Sequence, residues 1–331
     1  MSAGRSRDAA SKKVIYVALA GNLAIAITKF VAASLSGSAA MLSEGVHSLV
    51  DTGNEVLLLY GMHRARLPPT AQHPLGHARE LYFWTFIVAL LVFAVGAGVS
   101  CYEGVSHLLH PEPLVDARVA YVVLGVSAIF EGISWRLALK EFRGTKGRRS
   151  YLRAAEESKD PRTFTVLFED SAALLGLIIA FLGVFLAHRY DMPALDGIAS
   201  LCIGVLLAVA AAFLARESKA LLVGEGAHPQ VERRVATLAA AAPEIRRVNR
   251  VLTTQLGPEQ VVVAISAEFE DELRTPQIEA CVERLESDIR RRDPQVMLLF
   301  IKPQSPDVWQ RRHGRRNDDP LGVPPVDRAE H

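Results

Sequence analysis

The segment EGVHSLVDTGNE, residues 44–55, sets Glu44, His47, Asp51, Asn54 and Glu55 inside an otherwise apolar run, with SGSAAML before it and VLLLYG after it. On a helix advancing about 100° per residue, these five side chains fall within a sector of about 100°. The opposite side carries Leu42, Val46, Leu49, Val56 and Leu57. His47 and Asp51, at i and i+4, are neighbours on one face and can bind one cation from a single helix, as paired histidines do in other helical metal sites. An aspartate at the centre of a membrane helix costs about 2.5–3.5 kcal/mol on insertion scales. Ionisable groups in such places therefore mark ion or proton pathways. Ser43, Ser48 and Asn54 alone would join helices by hydrogen bonds at little cost, whereas His47 with Asp51 adds expense without adding packing.

A second acidic pair, Glu169 and Asp170, lies in TVLFEDSAALLGLIIA. Asp170 precedes a long apolar run and is expected within or near the membrane. Glu169 is about 100° away on the helix and is not expected to share that direction without local distortion. The plainer reading of Glu169 is a residue near the headgroups, paired with an Arg or Lys. Histidine and carboxylates together suit a borderline divalent cation such as zinc, cobalt, iron or manganese, and zinc favours four tetrahedral ligands. Two more charges are buried by position, Lys29 in the first apolar segment and Glu131 in the fourth. A Lys29–Glu131 pair would lower the cost of both; alternatively Glu131 relays protons.

These residues need elements to hold them. The chain has 331 residues, half of them hydrophobic and 22% charged, a mixture that points to two unlike parts. A membrane helix needs about 20 predominantly apolar residues, and six windows meet this: 14–35, 38–60, 81–102, 119–139, 164–187 and 195–215. The first is too long for the apolar core of a signal peptide and is expected to be a mature helix. Arg5, Arg7, Lys12 and Lys13, then Arg64, Arg66 and Arg79, then the basic cluster from Arg143 to Arg162, fall on one side, against Arg118 and Arg189 on the other. This asymmetry places both termini in the cytoplasm.

Beyond the sixth window, 231–241 and 276–290 have helical spacing, with Ile278, Val282, Leu285 and Ile289 on one face. The runs 248–255, 260–268 and 296–301 read as strands, the first two joined at Gly257-Pro258. The order αββαβ predicts a ferredoxin-like α+β domain. The expected organisation is a cytoplasmic segment 1–12, a six-helix transmembrane domain 13–216, a ferredoxin-like dimerisation domain 217–303 and a disordered tail 304–331 rich in Pro, Arg and Asp. Net charge is +1, which argues for no particular partner, and no nucleic-acid partner is expected. Cys101, Cys202 and Cys281 are far apart and predict neither a disulfide framework nor a thiolate metal site. Nucleotide fingerprints of the GxxxxGK[ST] and GxGxxG types are absent.

HSLVD within SGSAAMLSEGVHSLVDTGNE, then HPLGHARELYFW, then DPRTFTVLFEDSAALLGLIIA together resemble the cation diffusion facilitators, from about Lys13 to Pro303. The likeness is greatest to the branch with LED-type fifth helices, which includes mitochondrial zinc transporters of animals. The resemblance implies a six-helix metal exporter, a homodimer, and metal-for-proton antiport by alternating access. It implies ligands at His47, Asp51 and Asp170. The fourth ligand position is Val166, which cannot ligate; Glu169, Glu55, Glu44 or water is left to complete the shell, and manganese, iron and cobalt stay open beside zinc. His73 and His77 match a secondary site of some relatives, where an acidic residue three positions earlier is expected. This chain has Thr70 there, so a structural or weakly binding role is favoured. The C-terminal domain contains only His228, and no metal cluster is expected in it.

The expected function is export of a divalent cation, Zn²⁺ first, with no permanently bound cofactor and with protons as the counter-ion, because ligands must lose protons to bind metal. An intramembrane metallohydrolase would need a metal-activated water and a general base, and HExxH is missing. A membrane metal sensor is disfavoured by the few ligands in the C-terminal domain. A bacterial inner membrane is the expected location, because the basic leader lacks the Arg-rich, acid-poor length of an organellar transit peptide.

Overall fold

The computed structural model describes residues 2–111, 117–146, 150–151, 154, 158–313 and 326–327. The chain divides into two units, Met1–Lys219 and Ala220–His331. The first contains long helices: α1 (Ser2–Ser36), α2 (Ala39–Ala65), α3 (Glu80–Leu91) continuing through a π-helical turn (Val92–Ala97) into α4 (Gly98–Leu109), α5 (Ala117–Lys146), α6 (Pro161–Tyr190) and α7 (Ala194–Val223). The α3–α4 rod counts as one span, so six long rods make a transmembrane bundle. The residues expected as a separate N-terminal segment continue α1 as helix from Ser2.

Among the described residues, five helical stretches are long and apolar enough to cross a membrane: Leu19–Ser36, Glu80–Leu109, Ala117–Gly144, Phe164–Tyr190 and Ala194–Val223. The 27-residue α2 is the long rod left out. The reason is chemical: Glu44, His47, Asp51, Asn54 and Glu55 lower its apolar content although its length suffices.

Local signals explain the bend between the first two helices. Gly37 takes φ +70°, a left-handed conformation that costs glycine no Cβ clash, and its N–H reaches the Ala33 carbonyl at 2.8 Å. Ser38 then caps α2, its Oγ accepting from the Met41 N–H at 3.0 Å. Asp196 in the first turn of α7 binds the same corner, accepting from Ser38 Oγ at 2.7 Å and from the Ala40 N–H at 3.3 Å. Small residues bring α4 and α7 close. A methyl group at Gly104 would meet Leu201 N at 2.8 Å and Gly197 O at 2.9 Å. Such close backbone approach is how helices associate where lipid supplies no hydrophobic drive.

The second unit is ferredoxin-like. It contains α8 (Pro229–Ala240), β1 (Ile245–Gly257), β2 (Gln260–Phe269), α9 (Thr275–Arg292), β3 (Val296–Pro303), α10 (Pro306–His313) and β4 (Val326–Asp327). The sheet order is β3-β2-β1-β4. β1 and β2 form an antiparallel hairpin closed at Gly257↔Gln260, and β2 runs parallel to β3 with Val263↔Leu299 in register. Its core joins Val231, Val235 and Ala239 of α8, Val251, Val263 and Ile265 of the sheet, and Cys281, Leu285 and Ile289 of α9. Disorder expected from residue 304 does not hold over Pro306–His313, which is helical, or at Val326–Asp327, where Val326 pairs with Val248 of β1. Residues 314–325 and 328–331 of that expected tail lie outside the described residues.

Candidate cation site

The polar face of α2 is turned inward. His47 is 2% exposed, and neither ring nitrogen has a hydrogen-bond partner; Asp51 Oδ1 is likewise buried and unpartnered. Their closest approach, His47 Nδ1 to Asp51 Oδ1, is 3.5 Å, an ion-pair distance without hydrogen-bond geometry. Buried polar atoms are nearly always satisfied, so three orphaned acceptor or donor atoms on adjacent turns ask for a partner from outside the protein. Asp51 opens onto a cavity of ≈ 700 Å³ lined by residues of α1, α2, α5 and α6. The same cavity is lined by Glu55, Glu131, Val166, Glu169 and Asp170.

The two acidic residues of α6 therefore share this cavity with Asp51. Glu169 does not sit among basic headgroup partners: its Oε1 accepts from Asn54 Nδ2 of α2 at 3.0 Å. The expectation that its direction excludes it from Asp170's surroundings is corrected by the breadth of the cavity, which admits side chains from a wide sector of α6. Asp170 Oδ2 accepts from Ser134 Oγ of α5 at 2.9 Å. Val166, 39% exposed, adds a branched apolar wall where a ligand is implied. Glu55 accepts from Asn22 Nδ2 of α1 at 2.6 Å. Among the described residues no three His, Cys, Asp or Glu side chains stand close enough to hold an ion together.

Lys29 and Glu131 do not pair. Lys29 Nζ donates to Glu44 Oε2 at 3.1 Å and to Ser48 Oγ at 2.7 Å, and both charged side chains are fully buried. α1 packs along α2, so the carboxylate within reach of the ammonium is on the neighbouring helix rather than on α5. This occupies Glu44, one of the candidate ligands. Glu131 instead faces the cavity, with no hydrogen bond or ion pair to another side chain among the described residues.

His73 and His77 lie with ring centroids 4.5 Å apart and planes tilted by 39° in the loop after α2. Thr70 and His73 close a turn through reciprocal backbone bonds of 3.1 Å, and Thr70 Oγ1 also accepts from the His73 N–H. The acidic neighbour of this pair comes from the other direction: Glu80 Oε1 lies 3.9 Å from His77 Nδ1. Glu80 is already engaged by Arg64 at 2.8 Å and Trp84 Nε1 at 3.0 Å. In the second unit, His228 Nδ1 accepts from the Gln230 N–H at 3.3 Å and caps α8.

Sequence reasoning missed the donors that orient the carboxylates. Ser134 had no signal beyond being a serine three residues after Glu131. Asn54 was visible in the polar stripe, without its partner.

Residues 15–223 match the model of the cation efflux transmembrane domain. The mouse protein named mitochondrial proton-coupled zinc antiporter SLC30A9 is 33% identical over 325 residues, covering 96% of this chain and 55% of its own length. The cation-efflux pump FieF of Klebsiella pneumoniae (strain 342) is 26% identical, over 82% of this chain and 85% of its own. The manganese efflux system protein MneP of Bacillus subtilis is 21% identical, over 90% and 97%. The chain thus spans about half the length of the animal relatives it matches.

Proposed function

Because the chain belongs to the cation efflux family, an assignment resting on the match over residues 15–223, we propose that it exports Zn²⁺ in exchange for protons. His47, Asp51 and Asp170 are the ligands, and Glu169 takes the place that Val166 cannot fill. One observation carries this reading. Orphaned buried atoms of His47 and Asp51 stand one helical turn apart, and Asp51 lines a cavity that also receives Glu169 and Asp170 from a different helix. A dication entering there satisfies all of them at once, and α2 and α6 draw together around it.

The protein is an integral membrane protein. Both termini lie in the cytoplasm on the charge asymmetry of the loops; the membrane is a bacterial inner membrane and the assembly a homodimer joined through the ferredoxin-like unit. The boundaries 13–216 and 217–303 separate transport from dimerisation. His73 and His77 shape their loop, since the nearest carboxylate is committed to Arg64 and Trp84. One observation favours a second cargo: the cavity is lined by several carboxylates and Val166, and with His47 as the single imidazole beside it the ligand set is harder than a two-imidazole site, which suits Mn²⁺ as well.

Uptake of Zn²⁺, Mn²⁺, Co²⁺ and Fe²⁺ into inside-out vesicles, with and without a pH gradient, tests both readings. Zn²⁺ uptake driven by outward-directed proton flow, and lost in Asp51→Ala, is expected. Equal flux in wild type and Asp51→Ala removes the proposed site.

A further inference from the structure

Glu44 is a carboxylate on the same polar face of α2 as His47 and Asp51; of that face Ser48, Asp51 and Glu55 line the cavity, and neither His47 nor Glu44 does. Two features hold Glu44 away. Its Oε2 accepts from Lys29 Nζ at 3.1 Å, and the ammonium is fixed in turn by Ser48 Oγ at 2.7 Å. Its Oε1 has no hydrogen-bond partner and rests against bare backbone at Gly176 of α6, where an added methyl would overlap it. Lys29 and Glu44 are both 0% exposed. A lysine in mid-span is costly, and helix packing alone does not need one.

We propose that Lys29 is a specificity-determining residue: its ammonium draws Glu44 into the notch at Gly176 and so withdraws a carboxylate from the cation site. The inference rests on the transport site proposed above. With Glu44 withdrawn, the ligands are one imidazole and three carboxylates, a set of four that matches the coordination number zinc prefers. With Glu44 released, a further hard oxygen ligand stands one turn from His47, and additional carboxylates favour cations such as Mn²⁺ that take six oxygen ligands. The resident ammonium therefore sets how many carboxylates the cargo meets.

The full-length protein, K29M and K29M/E44Q are reconstituted in liposomes, and Mn²⁺ and Zn²⁺ uptake are measured separately. K29M is expected to raise the Mn²⁺:Zn²⁺ uptake ratio at least about fivefold, and K29M/E44Q to return it to within about twofold of wild type. A pair that only supports the fold would lower both fluxes together and leave the ratio alone. An unchanged ratio in folded K29M, or a shifted ratio that persists in K29M/E44Q, overturns the proposal. If K29M does not fold, K29Q, which keeps a donor for Ser48, carries the same test. Failure of both to fold overturns it in favour of a purely structural pair. Wild-type liposomes that take up neither ion would sink the transport reading instead, a result distinct from all of these.

Discussion

The two units bury opposite kinds of matter. The second packs Val235, Ile265, Leu285 and Ile289 into an apolar centre, and its charges form pairs at the rim such as Arg284–Glu244 at 2.6 Å. The first buries Lys29, Glu44, His47, Ser48 and Asn54 in its interior and leaves Ile129, Ile133 and Leu137 exposed. Each arrangement follows from its solvent. In water, removing apolar surface drives folding at about 25 cal/mol per Å². In lipid the tails are as apolar as the side chains, so close backbone contact and hydrogen bonds hold the helices together, and the polar interior is left for function. The chain Ser43 Oγ–Ser200 Oγ at 2.6 Å, with Ser200 Oγ donating to the Ser100 carbonyl at 2.8 Å, shows the second kind of cohesion.

The contrast breaks most sharply at the polar interior. Asp51→Ala and Asp170→Ala are each expected to lower metal flux by at least about 100-fold. Thermal unfolding of the same samples should change little, because Asp51 Oδ1 is unpartnered and Asp170 gives up only the hydrogen bond from Ser134. If flux and thermal midpoint fall together, the polar interior is structural and the contrast disappears.

A deletion of methyl groups should matter most in the second unit. Ile289→Ala leaves a cavity in a core of fully buried side chains and is expected to cost about 2–5 kcal/mol. Cys281 offers a local readout, since burial pushes its thiol up to about 11 and shields it from reagents. In a background without Cys101 and Cys202, Ile289→Ala should speed labelling of Cys281 well before the helical unit unfolds. Labelling at the wild-type rate would mean that this core is less tightly closed than its packing implies.

Adding a methyl group should matter most in the first unit. Gly104→Ala places Cβ 2.6 Å from Leu201 Cγ and below 3 Å from backbone atoms of α7. The neighbours there are backbone and cannot swing aside, so a loss of about 1–3 kcal/mol is expected. Gly125→Ala, where open space surrounds the new carbon, is the control and should be neutral or slightly stabilising. Equal thermal midpoints for the two variants would count against backbone contact as the cohesive device of α4 and α7.

What the sequence made legible follows the range of the interaction. The His47–Asp51 pair is local, set by the helical repeat, and so is the face of Leu285 and Ile289 on α9. The six rods were visible because span length is a property of each segment alone, although Cys281, not Val282, joins the fully buried core. The partner of Lys29 was not legible, because it depends on how α1 slides along α2, and two carboxylates on different helices were equally plausible. Glu169 was misjudged for a related reason: an angle on one helix says nothing about the width of the space it faces. The π-helical turn at Val92–Ala97 had no signal in a stretch of apolar residues that suits an ordinary helix. Ser134 and Asn54, which orient Asp170 and Glu169, became meaningful only when α5, α6 and α2 were brought together.

The smallest effect belongs to the rim charges of the second unit. The hydrogen bond from Arg284 holds the Glu244 carboxyl below its ordinary value of 4.5. A carboxylate whose folded value is depressed adds stability that is fully present above the unfolded value and disappears as pH falls through the folded one. Glu244 is 20% exposed and Arg284 48%, so water screens the pair and its contribution stays below about 1 kcal/mol. The stability difference between wild type and Glu244→Gln should therefore be small and constant from pH 7 down to about 5, then shrink towards zero below the folded value. Paired urea titrations of the full chain at pH 7 and pH 3 measure it. A difference that grows on acidification would reverse the sign of the coupling and assign the stability of that rim to some contact other than the ion pair.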